Sequence, residues 1–447
     1  MISRTLFTVG MALGATANQA GATPPQTCRA HSDEILQALQ KHDYASATAH
    51  LDARMQAAMD ANKLRQVWQQ MLPQQFGAYD HAAATRVQSS GVTTVAETPL
   101  QFASGWLSMR VSCDAAGKVS GLFFAPGQPP SDGTAPATTQ AHAANERSLL
   151  IASPLGRLPG TLTLPAGNGP FPAVLLVAGS GPMDRDETIG PNKPFRDLAQ
   201  GFAAAGIASL RYDKRTLAYG AQMVAKPITV DDEVTDDAVT ALRLLRQQPQ
   251  IDPHRLFVLG HSLGGLMVPR IARRYPHLAG AILLAAPVEL GADTVLRQIR
   301  YLDQLQGMSA AAIGKQLAPI VAARDTLAHA DPAHPPAGTL LGAPMSYWMS
   351  LRDYDAVAVA RTLHLPMLIL QGDVDYQVTL LGDYAKWKAA LGANPRVQMH
   401  DYPGLSHLFM PAGTPPGPAD YAKPGHVDAT VLHDITAWIA GQPPTAT

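Results

Sequence analysis

The sequence predicts an α/β protein, a mostly parallel sheet flanked by helices, preceded by a small α+β domain. Two observations carry this. From Glu146 onward, short apolar runs alternate with helical stretches, the pattern of a parallel sheet covered on both faces. Before that point, helical periodicity gives way to β-rich runs, the order expected of an α+β unit. A chain of 447 residues is long enough for two buried cores.

Taken in order, the chain opens on a targeting signal over 1–22. Arg4 supplies positive charge, Leu6 to Ala17 form an apolar run, and Ala20, Gly21 and Ala22 give a small-residue cleavage pattern. The run falls short of the ~20 residues that span a bilayer, so a cleaved, periplasmic or secreted protein is expected. The alternative is an uncleaved N-terminus. No other stretch reads as a membrane span. Export lets Cys28 and Cys113 pair, against the alternative of two free buried thiols. In the α+β domain, 27–125, Ile35, Leu36, Leu39, Leu51, Met55 and Met59 recur at helical spacing. Val92 to Val95, Leu100 to Arg110 and Val119 to Phe124 read as strands. Residues 126–145 are rich in Pro, Gly, Ser, Thr and Ala, which makes them a linker.

The α/β domain is expected over 146–442. Its buried strands are Ala173–Val177, Ile207–Tyr212, Leu256–Leu259, Ala281–Leu284, Met367–Leu370 and Val397–Tyr402. A helix over Val234–Leu245 puts Val234, Ala238, Ala241, Leu242 and Leu245 on one face, with Asp231, Asp232 and Glu233 at the positive end of its dipole. There is no internal repeat.

After the strand Arg255–Leu259 comes Gly260-His-Ser-Leu-Gly-Gly265, then an apolar helix. G-x-S-x-G between strand and helix is the setting of a nucleophilic serine, here Ser262, held in a turn with no room for side chains two residues away on either side, hence Gly260 and Gly264. In such enzymes the acid and then the base follow later strands. His407 follows the last strand and a Pro-Gly turn, and suits a general base near neutrality. Asp373 and Asp375 both follow Met367–Leu370, and their shared parity leaves the choice between them open.

From about Arg147 to Trp438 these blocks resemble the bacterial α/β-hydrolase-fold serine esterases that carry a small uncharacterised N-terminal domain. The resemblance rests on Val177 to Pro182 with Asp184 to Glu187, Arg211 to Arg215, Gly260 to Gly265, Leu351 to Asp355, Gln371 to Val378 and Tyr402 to Phe409. It implies the α/β-hydrolase fold with a helical cap insertion at about 288–361, and a triad of Ser262, His407 and Asp375. It implies an oxyanion hole from the backbone amides of Leu263 and Ser180, with Gly181 as a fallback. Many relatives have His-Gly where this chain has Ala178-Gly-Ser-Gly181. The insertion carries Leu290, Val295, Ile299, Leu302, Met308, Leu317, Ile320, Met345, Tyr347, Trp348 and Met349, read either as an acyl-binding lid or as ordinary helix packing. The clusters Asp184–Glu187 and Asp213–Arg215 are read as loop-bracing ion pairs ahead of substrate contacts.

Hydrophobic residues make up 46% and charged residues 15%, with a formal net charge of -1, which gives nucleic acid and anionic membranes no field to follow. No Cys/His cluster has zinc spacing, so neither metal nor cofactor is expected. The expected substrate is a small acyl ester. The alternatives are a peptidase, with Glu187 conceivably receiving a free amino terminus, a thioesterase, or a non-catalytic cell-envelope binding protein.

Overall fold

The computed structural model describes residues 24–90, 93–103, 105–114, 116–126, 145–223 and 227–445. The expected signal segment, and all but the ends of the expected linker, lie outside these. The chain divides into two compact units, one from residues up to Gln74 with Ala78–Gln101 and Leu107–Ala125, the other from Gln75–Gly77, Phe102–Trp106 and Pro126 onward.

In the first unit the helix Pro24–Gln40 buries Cys28, Ile35, Leu36 and Leu39 along one stripe. Three short helices follow, Tyr44–Thr48, Ala53–Ala58 and Ala61–Gln66. Each begins at an aspartate (Asp43, Asp52, Asp60) whose carboxylate accepts a first-turn amide. Such a cap contributes about 1 kcal/mol, which matters most in helices this short. The strands are β1 (Tyr79–Ala82), β2 (Arg86–Ser90), β3 (Thr93–Phe102), β4 (Gly105–Cys113) and β5 (Val119–Pro126). They run in the order β1-β3-β4-β5, with β2 paired antiparallel to β3. A disulfide joins Cys28 to Cys113 and ties the long helix to β4.

The second unit is built on eight strands: β6 (Glu146–Ser153), β7 (Gly156–Thr163), β8 (Phe171–Val177), β9 (Ala208–Tyr212), β10 (Ile251–His261), β11 (Gly280–Leu284), β14 (Met367–Gly372) and β15 (Val397–Tyr402). A small hairpin, β12 (Thr339–Leu340) with β13 (Ala343–Pro344), stands apart. The sheet order is β15-β14-β11-β10-β8-β9-β7-β6, and only β7 runs against the rest. Neighbouring residues of each central strand enter opposite cores. Leu175, Val258, Leu283 and Ile369 pack with the helices Asp236–Arg246 and Leu263–Arg274. Leu176, Phe257, Leu284 and Leu370 pack with Pro194–Ala204 and Ala429–Gly441. That alternation is why these strands read as unbroken apolar runs. Each fully buried Leu, Val or Ile stabilises the fold by about 1.5–3 kcal/mol.

All six expected strands are present, and the hairpin β6–β7 is an addition. Ile151 is the one buried residue of β6, whose apolar stretch Leu149–Ala152 is short and mostly exposed or half-buried, and Pro159 interrupts β7, so neither reads as a buried strand. Between β11 and β14 lie the helices Ala292–Leu305, Ala310–Ala328, Met345–Arg352 and Ala356–Arg361. Met345, Tyr347, Trp348 and Met349 belong to the main core, and Leu317 joins Leu296 and Ile313 in a small cluster of its own. For these residues helix packing is the role the structure gives. Tyr354 donates its hydroxyl to the Leu266 carbonyl on the helix that follows Ser262.

Candidate active site

Because β10, β14 and β15 are parallel, the segments that leave them emerge at one edge of the sheet. Ser262 leaves β10, Asp375 leaves β14 and His407 leaves β15. Ser262 has φ 54° and ψ -120°, a strained conformation for a residue with a side chain. The sequence makes room for it. A Cβ on Gly260 would collide with the Gly264 carbonyl, and one on Gly264 would collide with the Val177 carbonyl. The Ser262 amide donates to Leu284 O at 2.9 Å, and the helix Leu263–Arg274 begins at once. The Ser262 hydroxyl forms no hydrogen bond with the described residues, and is free to turn.

His407 and Asp375 are both buried, and His407 Nδ1 lies 2.7 Å from Asp375 Oδ2. The carboxylate is held on every side. Oδ1 accepts the amides of Gln377 at 2.8 Å and Val378 at 3.0 Å, and Oδ2 also accepts Gln371 Nε2 at 3.0 Å. With an ionised carboxylate, Nδ1 is the protonated nitrogen and Nε2 is left as acceptor. The neighbouring Asp373 turns the other way. Its Oδ1 accepts the Gly404 amide at 2.7 Å, and its own amide donates to Tyr402 O at 3.0 Å. It knits together the two loops that carry Asp375 and His407.

The segment Gly179-Ser180-Gly181 is gripped by two buried carboxylates. Glu187 Oε1 accepts the Gly179 amide at 2.6 Å, and Glu233 Oε1 accepts the Gly181 amide at 3.0 Å. Lys214 Nζ bridges Glu233 Oε1 and Gly179 O, each at 2.5 Å. The fallback amide of Gly181 is therefore engaged. The amides of Ser180 and Leu263 have no partner among the described residues. A Cβ on Gly179 would lie 3.2 Å from Ser262 Cβ, so this segment runs beside the serine.

Sequence reasoning missed a second histidine–carboxylate pair next to the first. His261 Nδ1 lies 3.0 Å from Glu187 Oε1, His261 Nε2 donates to His407 O at 2.9 Å, and the two rings are 4.6 Å apart. A carbonyl only accepts, so Nε2 carries a proton, and the carboxylate at Nδ1 favours a second. Burial of His261 opposes that charge, but the facing Glu187 carboxylate outweighs it and holds the imidazole above its ordinary value. Glu187 itself adopts φ 52°. It and Glu233 stood inside acidic runs that composition alone marks as surface, and only their partners reveal the role. The remaining charges brace loops as expected. Arg185 holds Asp213 through two nitrogens at 2.9 and 2.8 Å, Arg215 holds Asp237 at 2.8 and 2.6 Å, and Arg211 links Asp186 to Glu146.

A sheet with one reversed strand, a strained serine at the exit of β10, and a histidine–aspartate pair on the segments that leave β15 and β14 define an α/β-hydrolase-fold protein. Comparison with known proteins narrows that class. Residues 193–411 match a family model described as serine aminopeptidase, S33, and residues 32–122 match one described as a protein of unknown function, DUF3887. Over 405 residues the chain is 32% identical to Esterase EstD of Thermotoga maritima, covering 91% of this chain and 93% of that one. It is 27% identical over 110 residues to the Thiohydrolase apmlB of Arthrinium phaeospermum, covering 24% of this chain and 36% of that one. Among solved structures, Est1E from Butyrivibrio proteoclasticus aligns with 65% of this chain and 95% of its own, at 16% identity and a TM-score of 0.41. The chain belongs to the α/β-hydrolase-fold esterases.

Proposed function

We propose that this protein hydrolyses carboxylic esters through an acyl-enzyme, with Ser262 as nucleophile, His407 as general base and acid, and Asp375 orienting it. The observation that carries the reading is the 2.7 Å contact between His407 Nδ1 and Asp375 Oδ2, which leaves Nε2 as the basic nitrogen. Ser262 Oγ attacks the acyl carbon while its proton passes to His407 Nε2. The negative charge that develops on the carbonyl oxygen is received by the free amides of Ser180 and Leu263. Losing one such donor typically costs about 3 kcal/mol in the barrier. His407 then gives the proton to the departing alcohol oxygen. Water, deprotonated by the same nitrogen, releases the acid. The Oγ–Nε2 hydrogen bond forms as substrate binds, since catalytic hydrogen bonds tighten in the Michaelis complex.

The family description names an aminopeptidase, so a peptide substrate is the competing reading. Glu187, the carboxylate that would receive a substrate amine, is buried, with Oε1 committed to Gly179 and His261 and Oε2 closed off from solvent, which favours the ester. Turnover of p-nitrophenyl acetate, an aminoacyl-p-nitroanilide and a thioester of the same acyl group discriminates among the readings. The ester should turn over fastest, and Ser262→Ala should abolish that turnover. Faster release of p-nitroaniline would replace the ester reading with the peptidase one. We further propose export with cleavage after Ala22, a compartment in which the Cys28–Cys113 bridge is stable. N-terminal sequencing of the secreted or periplasmic protein tests it, and a retained Met1 would reject it.

A further inference from the structure

His31 and Glu34 stand one turn apart on the helix Pro24–Gln40, and the fold brings His50 against both. Glu34 Oε2 lies 3.4 Å from His31 Nδ1 and 3.0 Å from His50 Nε2, and the two imidazole rings stack with centroids 4.1 Å apart. One ligand atom from each residue lies within 4.8 Å of the others, and among the described residues no other three His, Cys, Asp or Glu side chains converge in this way. Tetrahedral zinc with bonds of about 2.0–2.1 Å sets its ligand atoms about 3.3 Å apart. The two separations from Glu34, 3.4 and 3.0 Å, lie on either side of that spacing.

The backbones under these side chains are fixed. The disulfide anchors the helix at Cys28, and the buried Ser32 hydroxyl bonds Thr98 at 3.0 Å. His50 O accepts the Val119 amide at 3.0 Å, so β5 holds the third ligand in place. A site on rigid elements needs little rearrangement to bind. The side chains of Glu34 and His50 are 55% and 38% exposed, which leaves an ion free to enter and water free to complete its shell. No zinc spacing was legible in the sequence because one ligand is a carboxylate and the third arrives through the fold.

We propose that His31, Glu34 and His50 bind one divalent transition-metal ion of the zinc class in the first unit. Two imidazoles and one carboxylate suit Zn²⁺, with Cu²⁺ and Ni²⁺ as competitors, and give no preference to Mg²⁺ or Ca²⁺. Bound to the native state alone, the ion stabilises the fold by mass action.

The full-length protein, freed of metal with a chelator and titrated with zinc chloride by calorimetry, should bind one equivalent per chain. The double variant His31→Ala/His50→Ala should weaken that step by on the order of 100-fold or more. Ester hydrolysis should not change, since the cluster lies outside the catalytic machinery. Should the double variant fail to fold by circular dichroism, His50→Gln makes the same comparison from an exposed position. Copper(II) at the site should show electron paramagnetic resonance coupling to two nitrogens. Equal zinc binding by wild type and variant, no binding by wild type, or copper without nitrogen coupling would overturn the proposal.

Discussion

Asp375 accepts four hydrogen bonds from groups that cannot follow it elsewhere, so its carboxylate has one orientation to offer His407. Asp375→Asn keeps the shape but removes the charge that fixes the tautomer. It should lower kcat for p-nitrophenyl acetate by on the order of 10⁴-fold. Asp373→Asn, which touches only the Gly404 turn, should lower it far less, and equal losses would remove the distinction between them. Residue pattern could not separate the two aspartates, because residues two apart share a face and only their partners differ; the family resemblance pointed to Asp375. The pairing of Glu187 with His261 was hidden because the two stand 74 residues apart and meet only through the fold. The folded pKa of His261 is raised above 6.5. Its contribution to stability is therefore complete below the unfolded value and is lost as pH rises through the folded one. Denaturant melts across pH should show that loss in wild type and not in His261→Gln. Parallel pH profiles would contradict the charged pair.

At the level of elements, what could be read was what is buried on both sides. The buried stretches Ala173–Val177 of β8, Leu256–Leu259 of β10 and Met367–Leu370 of β14 are unbroken apolar runs and were legible as such, whereas the polar start of β10, Asp252 to Arg255, carried no such signal. The edge hairpin β6–β7 buries only Ile151 of its first strand and carries a proline in its second, so the short apolar stretch Leu149–Ala152 did not stand out as a buried strand. The helix starting at Asp236 was legible as a stripe, although its first turn is a wider π-turn over Asp231–Thr235 that turns Glu233 inward. In the first unit, one cross-link spans a sequence separation of 85 residues. In the chain-entropy model such a bridge stabilises by about 4–5 kcal/mol. Cys28→Ala/Cys113→Ala should therefore unfold at distinctly lower denaturant when followed by far-UV circular dichroism, and an unmoved midpoint would show that the bridge adds nothing.

Across the whole molecule, the order of events along the chain made the candidate site legible: strand, serine, strand, acid, strand, histidine. A parallel sheet converts that order into proximity, since every crossover returns to the same edge. What the order could not supply was the support beneath it, the paired carboxylates around Gly179 to Gly181 and the His261 imidazole packed at a tilt against His407. Those depend on which polar groups share a buried volume, a property of packing rather than of pattern. Every step of the proposed reaction requires that Ser262 be the residue that takes the acyl group. Mass-spectrometric peptide mapping after reaction with a fluorophosphonate measures this most directly. A single adduct on the peptide containing Ser262, absent from Ser262→Ala, is the result expected. An adduct on another residue, or labelling that survives the substitution, would contradict it.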